Sequence, residues 1–160
     1  MNNTLTHRDV DFGDLETICS FPQDENELFF MFPKASYPLT IEQLHASIIS
    51  RSDSTVIIAD NQVVGFANFY EATIGEHCSI GNVIIHPDYR GKGIGRYLIQ
   101  TMEKIAIEKY HAKEIHISCF NQNTGGLLFY SKLGYKPYHI EKRLHKDFIP
   151  FALIHMKKIN

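Results

Sequence analysis

A glycine-rich, basic turn lies between an apolar run and a segment with helical periodicity. The turn is Arg-Gly-Lys-Gly-Ile-Gly at residues 90–95, and the run Asn-Val-Ile-Ile at 82–85 precedes it. Apolar residues then recur at Ile94, Leu98 and Met102, which is the spacing of one helix face. The first N–H groups of a helix are unpaired and bind anions, and glycine lets a backbone approach closely. A strand, this turn and a helix together predict a pyrophosphate site.

Two common nucleotide-binding patterns do not fit the turn. A dinucleotide-binding turn needs Gly-x-Gly-x-x-Gly, and counting from Gly91 and Gly93 the last position is Arg96. A P-loop needs Gly-Lys followed by Ser or Thr, whereas Lys92 is followed by glycine. The spacing therefore argues against a nucleotide-dependent kinase or ATPase.

The spacing Arg-x-x-Gly-x-Gly at Arg90, Gly93 and Gly95 instead resembles the acetyl-CoA-binding signature of the GNAT family of N-acetyltransferases. A second block, residues 123–135, is similar to that family's pattern Asn-x-x-Ala-x-x-Leu-Tyr-x-x-Leu-Gly-Phe. The residues that match or replace the pattern conservatively are Asn123, Gly126, Phe129, Tyr130, Leu133, Gly134 and Tyr135. The resemblance covers roughly residues 54–140 and identifies the chain as a candidate member of the family.

Periodicity and turn residues predict the elements that must position these motifs. Strands are expected at 4–9, 55–59, 63–70, 78–85, 114–120, 136–143 and 151–157. Helices are expected at 12–20, once or twice between 24 and 50, at 94–110 and at 123–133. The resemblance implies a single α/β (mixed α+β) domain over 1–160. Its mostly antiparallel sheet would contain a splayed parallel strand pair and be flanked by helices.

The resemblance also implies where acetyl-CoA binds. The pantetheine arm would lie between strands 78–85 and 114–120 and pair with backbone groups as an added strand does. The pyrophosphate would lie on the glycine-rich turn. The expected cofactor-binding residues are Val83, Ile84, Ile85, Arg90, Gly91, Lys92, Gly93, Ile94, Gly95, Arg96, Asn123, Tyr130 and Lys132.

Three side chains are candidates for the chemistry. Acetyl transfer to an amine expels a thiolate, and the resemblance gives the phenol of Tyr130 the role of proton donor to that sulfur. Ser118 lies late on the second splayed strand, where a hydroxyl can face the thioester or hold a water; an ordinary strand serine is the alternative. The strand before the turn has no carboxylate, so Glu71 is the candidate base, acting through water.

The acceptor is expected to contact residues 21–40 and the final hairpin. Residues 24–37 combine acids with aromatics, a mixture that suits a cationic amine, although an amphipathic helix with a solvated acidic face is the alternative. The predicted substrate-binding residues are Glu27, Phe30, Tyr37 and Asn82. Cations that could bind an acceptor carboxylate, or equally form surface salt bridges, are Lys34, Arg51 and Arg143.

Composition argues against several classes of partner. The 160-residue chain has a net charge of −2, which provides no basic field for nucleic acid. No apolar run reaches the ~18 residues of a membrane span, and the N-terminus lacks a signal-peptide pattern. The three cysteines and nine histidines show no metal-binding spacing. We therefore expect a cytoplasmic protein with no metal, nucleic-acid or membrane partner.

The leading hypothesis is an acetyl-CoA-dependent N-acetyltransferase. A neutral amine would attack the thioester directly in a ternary complex, and the acidic, aromatic segment favours a lysine-like amine of a peptide or amino acid over other small amines. Cys119 is the one cysteine placed for an acetyl-enzyme, and packing is its expected role. The alternative is a non-catalytic acyl-CoA-binding sensor. A homodimer through the final hairpin is possible for this family.

Overall fold

The computed structural model of the protein describes residues 4–144 and 147–160. Seven strands lie in these ranges: β1 (Thr6–Asp9), β2 (Ser52–Ala59), β3 (Gln62–Ala72), β4 (His77–Ile85), β5 (Glu114–Phe120), β6 (Lys136–Leu144) and β7 (Pro150–Ile159). The α-helices are α1 (Leu15–Cys19), α2 (Glu25–Met31), α3 (Ile41–Ser50), α4 (Ile94–Tyr110) and α5 (Thr124–Lys132). Short 3₁₀ turns lie at Phe12–Asp14 and Pro87–Tyr89.

The strands form one sheet in the order β1-β2-β3-β4-β5-β7-β6. The β4–β5 pair is parallel, and the other neighbours are antiparallel. The parallel pairing runs from His77 opposite Glu114 to Ile80 opposite Ile117, and among the described residues it goes no further. The two strands then separate over 81–85 and 118–120. The predicted fold class, with its splayed parallel pair, is confirmed.

An irregularity in β4 accompanies the separation. Asn82 adopts a positive φ of 52°, and the β3–β4 register shifts at this point of the strand. Asparagine tolerates this conformation better than most residues, and a bulge bends the strand that contains it. The bend turns the end of β4 away from β5 and opens the sheet on that side.

Two apolar clusters pack on the two faces of the sheet. One contains the buried stripe of α4, which includes Ile94, Leu98 and Met102, together with inward residues of the strands. The other joins α1, α2 and α3 to side chains such as Val56 and Phe66. The helices therefore cover both faces, and α4 holds the glycine-rich turn against the end of β4.

The first helix differs from the prediction for residues 12–20. A 3₁₀ turn comes first, and α1 begins only at Leu15. The Asp14 carboxylate accepts a hydrogen bond from the backbone N–H of Asp11 at 2.8 Å and pairs with Arg8 at 2.7 Å. These two contacts stabilise the 3₁₀ turn in place of a regular helical turn that starts at Phe12. No helix in the described part of the chain is long and apolar enough to span a membrane.

Candidate active site

A cavity of about 790 Å³ opens where β4 and β5 separate. Its walls come from α2, α3, α5 and the separated strands, with β7 on the far side of β5. The structure brings nine of the predicted site residues to this cavity: Glu27, Phe30, Asn82, Val83, Ile84, Arg90, Ser118, Asn123 and Tyr130. Residues that are far apart in the sequence thus line one enclosed space.

The N-terminus of α4 has the features of an anion site. Gly91 and Gly93 adopt positive φ values of 74° and 84°, and an added Cβ would meet no atom within 4 Å at either. Gly93 is the N-cap, so no side chain caps the helix, whereas Thr40 and Asn123 cap α3 and α5 with their side chains. The first N–H groups of α4 are therefore left for an anion.

The remaining residues of the turn have distinct surroundings. Gly95 faces α5, where an added Cβ would lie 3.1 Å from the Phe129 ring, so its role is close helix packing. Lys92 lies over the Tyr89 ring at 5.3 Å. Ile94, the first residue of α4, is buried, whereas Arg96 and Lys132 are exposed to solvent. The helix start offers backbone N–H groups, with Lys92 beside them on the exposed side of the turn.

The Arg90 guanidinium binds other groups of the protein and is not directed to the cofactor site, where its charge was expected. Its guanidinium pairs with Glu27 at 2.6 Å and donates to the carbonyl oxygens of Phe21 at 3.2 Å and Ile85 at 3.1 Å. The ion pair ties α2 to the glycine-rich turn. Arg90 was predicted for the cofactor and Glu27 for the acceptor, yet each offsets the charge of the other. The expected acidic attraction for a cationic amine is therefore neutralised in the structure.

Tyr130 is held on α5 with its side chain lining the cavity. It is 8% exposed, and burial raises the pKa of its phenol, so the group stays protonated and can donate a proton or a hydrogen bond. The Asn123 side chain accepts a hydrogen bond from the N–H of Gly126 at 3.0 Å and so caps the helix. An added Cβ at Gly126 would lie 2.6 Å from the Asn123 amide nitrogen. Glycine at 126 therefore leaves room for this cap.

Cys119 lines the cavity but is largely buried. The residue is 4% exposed, and burial raises the pKa of its thiol to about 11. Because a thiolate is the reactive form of cysteine, such a thiol is a poor nucleophile near neutral pH. The geometry supports the packing role expected for Cys119.

A hydrogen-bond chain that the sequence did not reveal runs from Ser118 to His155, both of which line the cavity, and on to Glu141. The Ser118 Oγ is 2.8 Å from His155 Nδ1, and His155 Nε2 is 2.9 Å from Glu141 Oε2. The Tyr70 hydroxyl lies 3.3 Å from the same Ser118 Oγ. The chain crosses from β5 to β7 to β6, so only the register of the sheet brings its members together.

The charge of Glu141 determines which groups donate and which accept along these hydrogen bonds. Hydrogen bonds from His155 and Arg143 lower the pKa of Glu141, which keeps its carboxylate ionised. An ionised carboxylate only accepts hydrogen bonds, so Nε2 of His155 is the donor to Glu141, and in the neutral form of the imidazole Nδ1 then accepts from the Ser118 hydroxyl. Ser118 then presents its own oxygen lone pairs toward the cavity. This is the arrangement of a base that acts through a hydroxyl.

Glu71 and Tyr37 lie outside the cavity lining. The Glu71 carboxylate is exposed and pairs with His77 at 3.1 Å. Tyr37 instead lines a smaller pocket of about 120 Å³, and its hydroxyl is 3.4 Å from the carbonyl oxygen of Gln23. The geometry gives no support to Glu71 as the base or to Tyr37 as an acceptor contact. Both remain predictions from sequence alone.

Asn82 lines the cavity but uses its amide within the protein. Its oxygen accepts from Ser47 at 2.7 Å and from Asn68 at 2.9 Å, and its nitrogen donates to the Met31 carbonyl at 3.1 Å. This buried network joins β3, β4, α2 and α3. It fixes β4 at the bulge against β3 and the two helices.

Comparison with known proteins decides the family. The model of the acetyltransferase (GNAT) family matches residues 16–135, which is most of the chain. The chain belongs to this family. As a GNAT protein it is an acetyl-CoA-dependent N-acetyltransferase. The match begins in α1, so the N-terminal helices belong to the family fold as well as the two motif blocks.

Individual GNAT relatives are distant. The chain is 23% identical over 139 residues to a spermidine N(1)-acetyltransferase of Vibrio cholerae serotype O1, covering 84% of this chain and 80% of the relative. It is 27% identical over 84 residues to an N-alpha-acetyltransferase of Sulfurisphaera tokodaii, covering 52% and 50% of the two chains.

Solved structures share the fold. A GNAT acetyltransferase from Bacillus anthracis superposes with a TM-score of 0.79 at 18% identity, covering 99% of this chain and 97% of the other. Spermidine N-acetyltransferase from Vibrio cholerae, solved with CoA and spermine, gives 0.76 at 18% identity, covering 97% and 95%. At these identities the likeness extends to the fold alone.

The glycine-rich turn provides a first test of the site. Replacing Gly93 with valine forces an L residue into a left-handed conformation, which costs roughly 1–2 kcal/mol, and we expect CoA to bind about tenfold more weakly. Isothermal titration with CoA measures the effect. Gly13→Ala, in a turn remote from α4 where an added Cβ meets nothing within 4 Å, is the matched control. Equal affinity in the valine and control variants would count against a pyrophosphate at this turn.

Proposed function

We propose that this GNAT protein transfers an acetyl group from acetyl-CoA to a primary amine by direct attack in a ternary complex. The candidate acceptors are a small-molecule amine, an amino acid, or a lysine-like amine of a peptide. The observation that carries the proposal is the single cavity that joins the separated strands, the Tyr130 phenol and the Ser118 hydroxyl. When bound, acetyl-CoA supplies the activated acetyl thioester.

The residues present fit acetyl-CoA. Ile84 and Ile85 pair with β3, but in the described chain their other edge has no strand partner once β5 has separated. The Ile85 carbonyl already accepts from Arg90 Nε at 3.1 Å, and the remaining N–H and C=O groups along this edge can bind a peptide-like arm in the manner of strand addition. The uncapped start of α4 lies beyond the same strand and can take the pyrophosphate.

The side chains can manage the two proton movements that the reaction requires. Ser118 can accept a proton from the attacking amine while passing its own to Nδ1 of His155, and Glu141 stabilises the imidazolium that forms. Tyr130, kept protonated by burial, can donate to the departing sulfur. We therefore propose His155, acting through Ser118, as the base in place of Glu71.

Thiol release from acetyl-CoA, measured against a panel of amines, amino acids and lysine peptides, tests the proposed function. We expect release that depends on the acceptor, together with an acetylated product of matching mass. Binding of acetyl-CoA without turnover for any acceptor would instead favour the acyl-CoA sensor.

A further inference from the structure

The charges around the cavity favour an acceptor that carries a carboxylate. Among the residues that the structure describes, the cavity lining contains one carboxylate, that of Glu27, and four cations, Lys34, Arg51, Arg90 and Arg143. Glu27 is already paired with Arg90, and Arg143 lies 3.0 Å from Glu141. Among the described residues, no carboxylate forms an ion pair with Arg51 or Lys34. The space left for the acceptor is therefore basic.

Arg51 is the more enclosed of these two cations. Its guanidinium lies 5.8 Å from the centre of the Phe32 ring and 5.6 Å from that of Tyr70. Burial lowers its pKa from the ordinary value, which reflects the cost of keeping a charge from water, although a guanidinium remains cationic. One hydrogen bond, from Nη1 to Asn68 Oδ1 at 3.1 Å, is made to a neutral partner. A half-buried cation without a counter-ion is suited to an anionic ligand.

The surroundings of Arg51 are organised to hold this position. Asn68 is fully buried, and its nitrogen donates to the Asn82 oxygen at 2.9 Å, within the network that fixes the β4 bulge. An added Cβ at Gly81 would lie 2.6 Å from the Arg51 Nη1 and 2.8 Å from the Tyr70 ring. Glycine at this position therefore makes room for the guanidinium and for the aromatic ring beside it.

The Tyr70 side chain connects this cation with the proposed base. Its ring lies against Arg51, and its hydroxyl is 3.3 Å from Ser118 Oγ. An anion bound at Arg51 and an amine beside Ser118 would thus lie on either side of one tyrosine. A small molecule that carries both groups can occupy the two positions together.

We propose that Arg51 binds a carboxylate of the acceptor, so that the substrate is an amino acid or a related small amino carboxylate rather than a polyamine. This proposal rests on the proposed acetyltransferase function and narrows its acceptor. It also replaces the expectation of an acidic site for a cationic amine, because the one acid in the lining is neutralised. Although one curated relative and one solved structure are named for spermidine, the basic lining here would repel such a polycation.

Matched acceptor pairs test the proposal. Each amino acid is assayed beside its carboxamide, and lysine beside 1,5-diaminopentane, which lacks only the carboxylate. We expect kcat/KM to be at least about 30-fold higher for each acid, in line with the loss when one partner of a buried charge pair is removed. Equal or better turnover of the amides and the diamine would overturn the proposal.

Variants locate the effect at Arg51. In Arg51→Gln the KM for the acid should rise by about 30-fold while the values for the amide change little, and Arg51→Lys should recover part of the loss because it keeps charge without the planar fork. Lys104→Gln, which removes an exposed cation from α4, is the control. Thermal unfolding of every variant checks that it is folded. An equal rise for acid and amide would contradict a carboxylate contact.

A binding measurement separates this proposal from the proposed function. Titration calorimetry of the wild-type protein with lysine, its carboxamide and 1,5-diaminopentane needs no turnover. Tighter binding of the acid, lost in Arg51→Gln, would support the Arg51 site even if no thiol were released with any acceptor. If the acid, the amide and the diamine bind with equal affinity, the Arg51 site is rejected, even if the enzyme is active.

Discussion

Replacing Tyr130 with phenylalanine is expected to lower kcat for acetyl transfer by about 10²-fold, the smaller end of general acid catalysis, while the KM for acetyl-CoA changes little. The phenol lines the cavity, and burial keeps it protonated over the working pH range. The ring of phenylalanine fills the same space without a donor for the departing sulfur. Steady-state thiol release with a good acceptor measures the change.

Tyr135→Phe is the matched control for this variant. The Tyr135 hydroxyl is also buried, but it donates to Glu103 at 2.8 Å and does not line the cavity. Its removal should cost stability, on the order of 1 kcal/mol for one hydrogen bond, and leave kcat unchanged. If the two variants had equal kcat, or if Tyr130→Phe kept the wild-type rate, Tyr130 would lose the proposed role of acid.

Replacing His155 with glutamine is expected to lower kcat/KM by about 10²-fold near neutral pH, because an amide cannot take up the proton that Ser118 passes on. Steady-state thiol release with one fixed acceptor at one pH measures the change, because ionisation of the amine is then common to both enzymes.

The surroundings of the His155 imidazole also predict the direction of the effect of replacing Glu141. The groups around the imidazole are Ser118, Glu141 and the rings of Tyr138 and His139. Glu141 alone among these is anionic, so Glu141→Gln stabilises the imidazolium less and should lower kcat/KM in the same direction as His155→Gln, by a smaller factor. His45→Gln, which removes an exposed imidazole on α3 outside the cavity lining, serves as the control. Wild-type kcat/KM in the His155 variant would exclude this base.

The sequence predicted those features of the structure that depend on residues close together in the chain. The helix 94–110 and the strand 114–120 have the predicted bounds, because apolar periodicity and glycine placement are properties of neighbouring residues. Gly134, at φ 98°, ends α5 as its position predicted. The segment 12–20 was misread, since contacts made by the Asp14 carboxylate replace its first helical turn.

The sequence by itself thus determined the family, the fold class and the glycine-rich turn. Those features depend on the types and spacing of residues that are near one another in the sequence. Only the tertiary structure decided how the charged side chains are used. Arg90 meets Glu27, and Arg51 meets Asn68, across many intervening residues. The base proposed at His155 depends on the register of three strands, and a shift of one residue would turn its side chain to the other face.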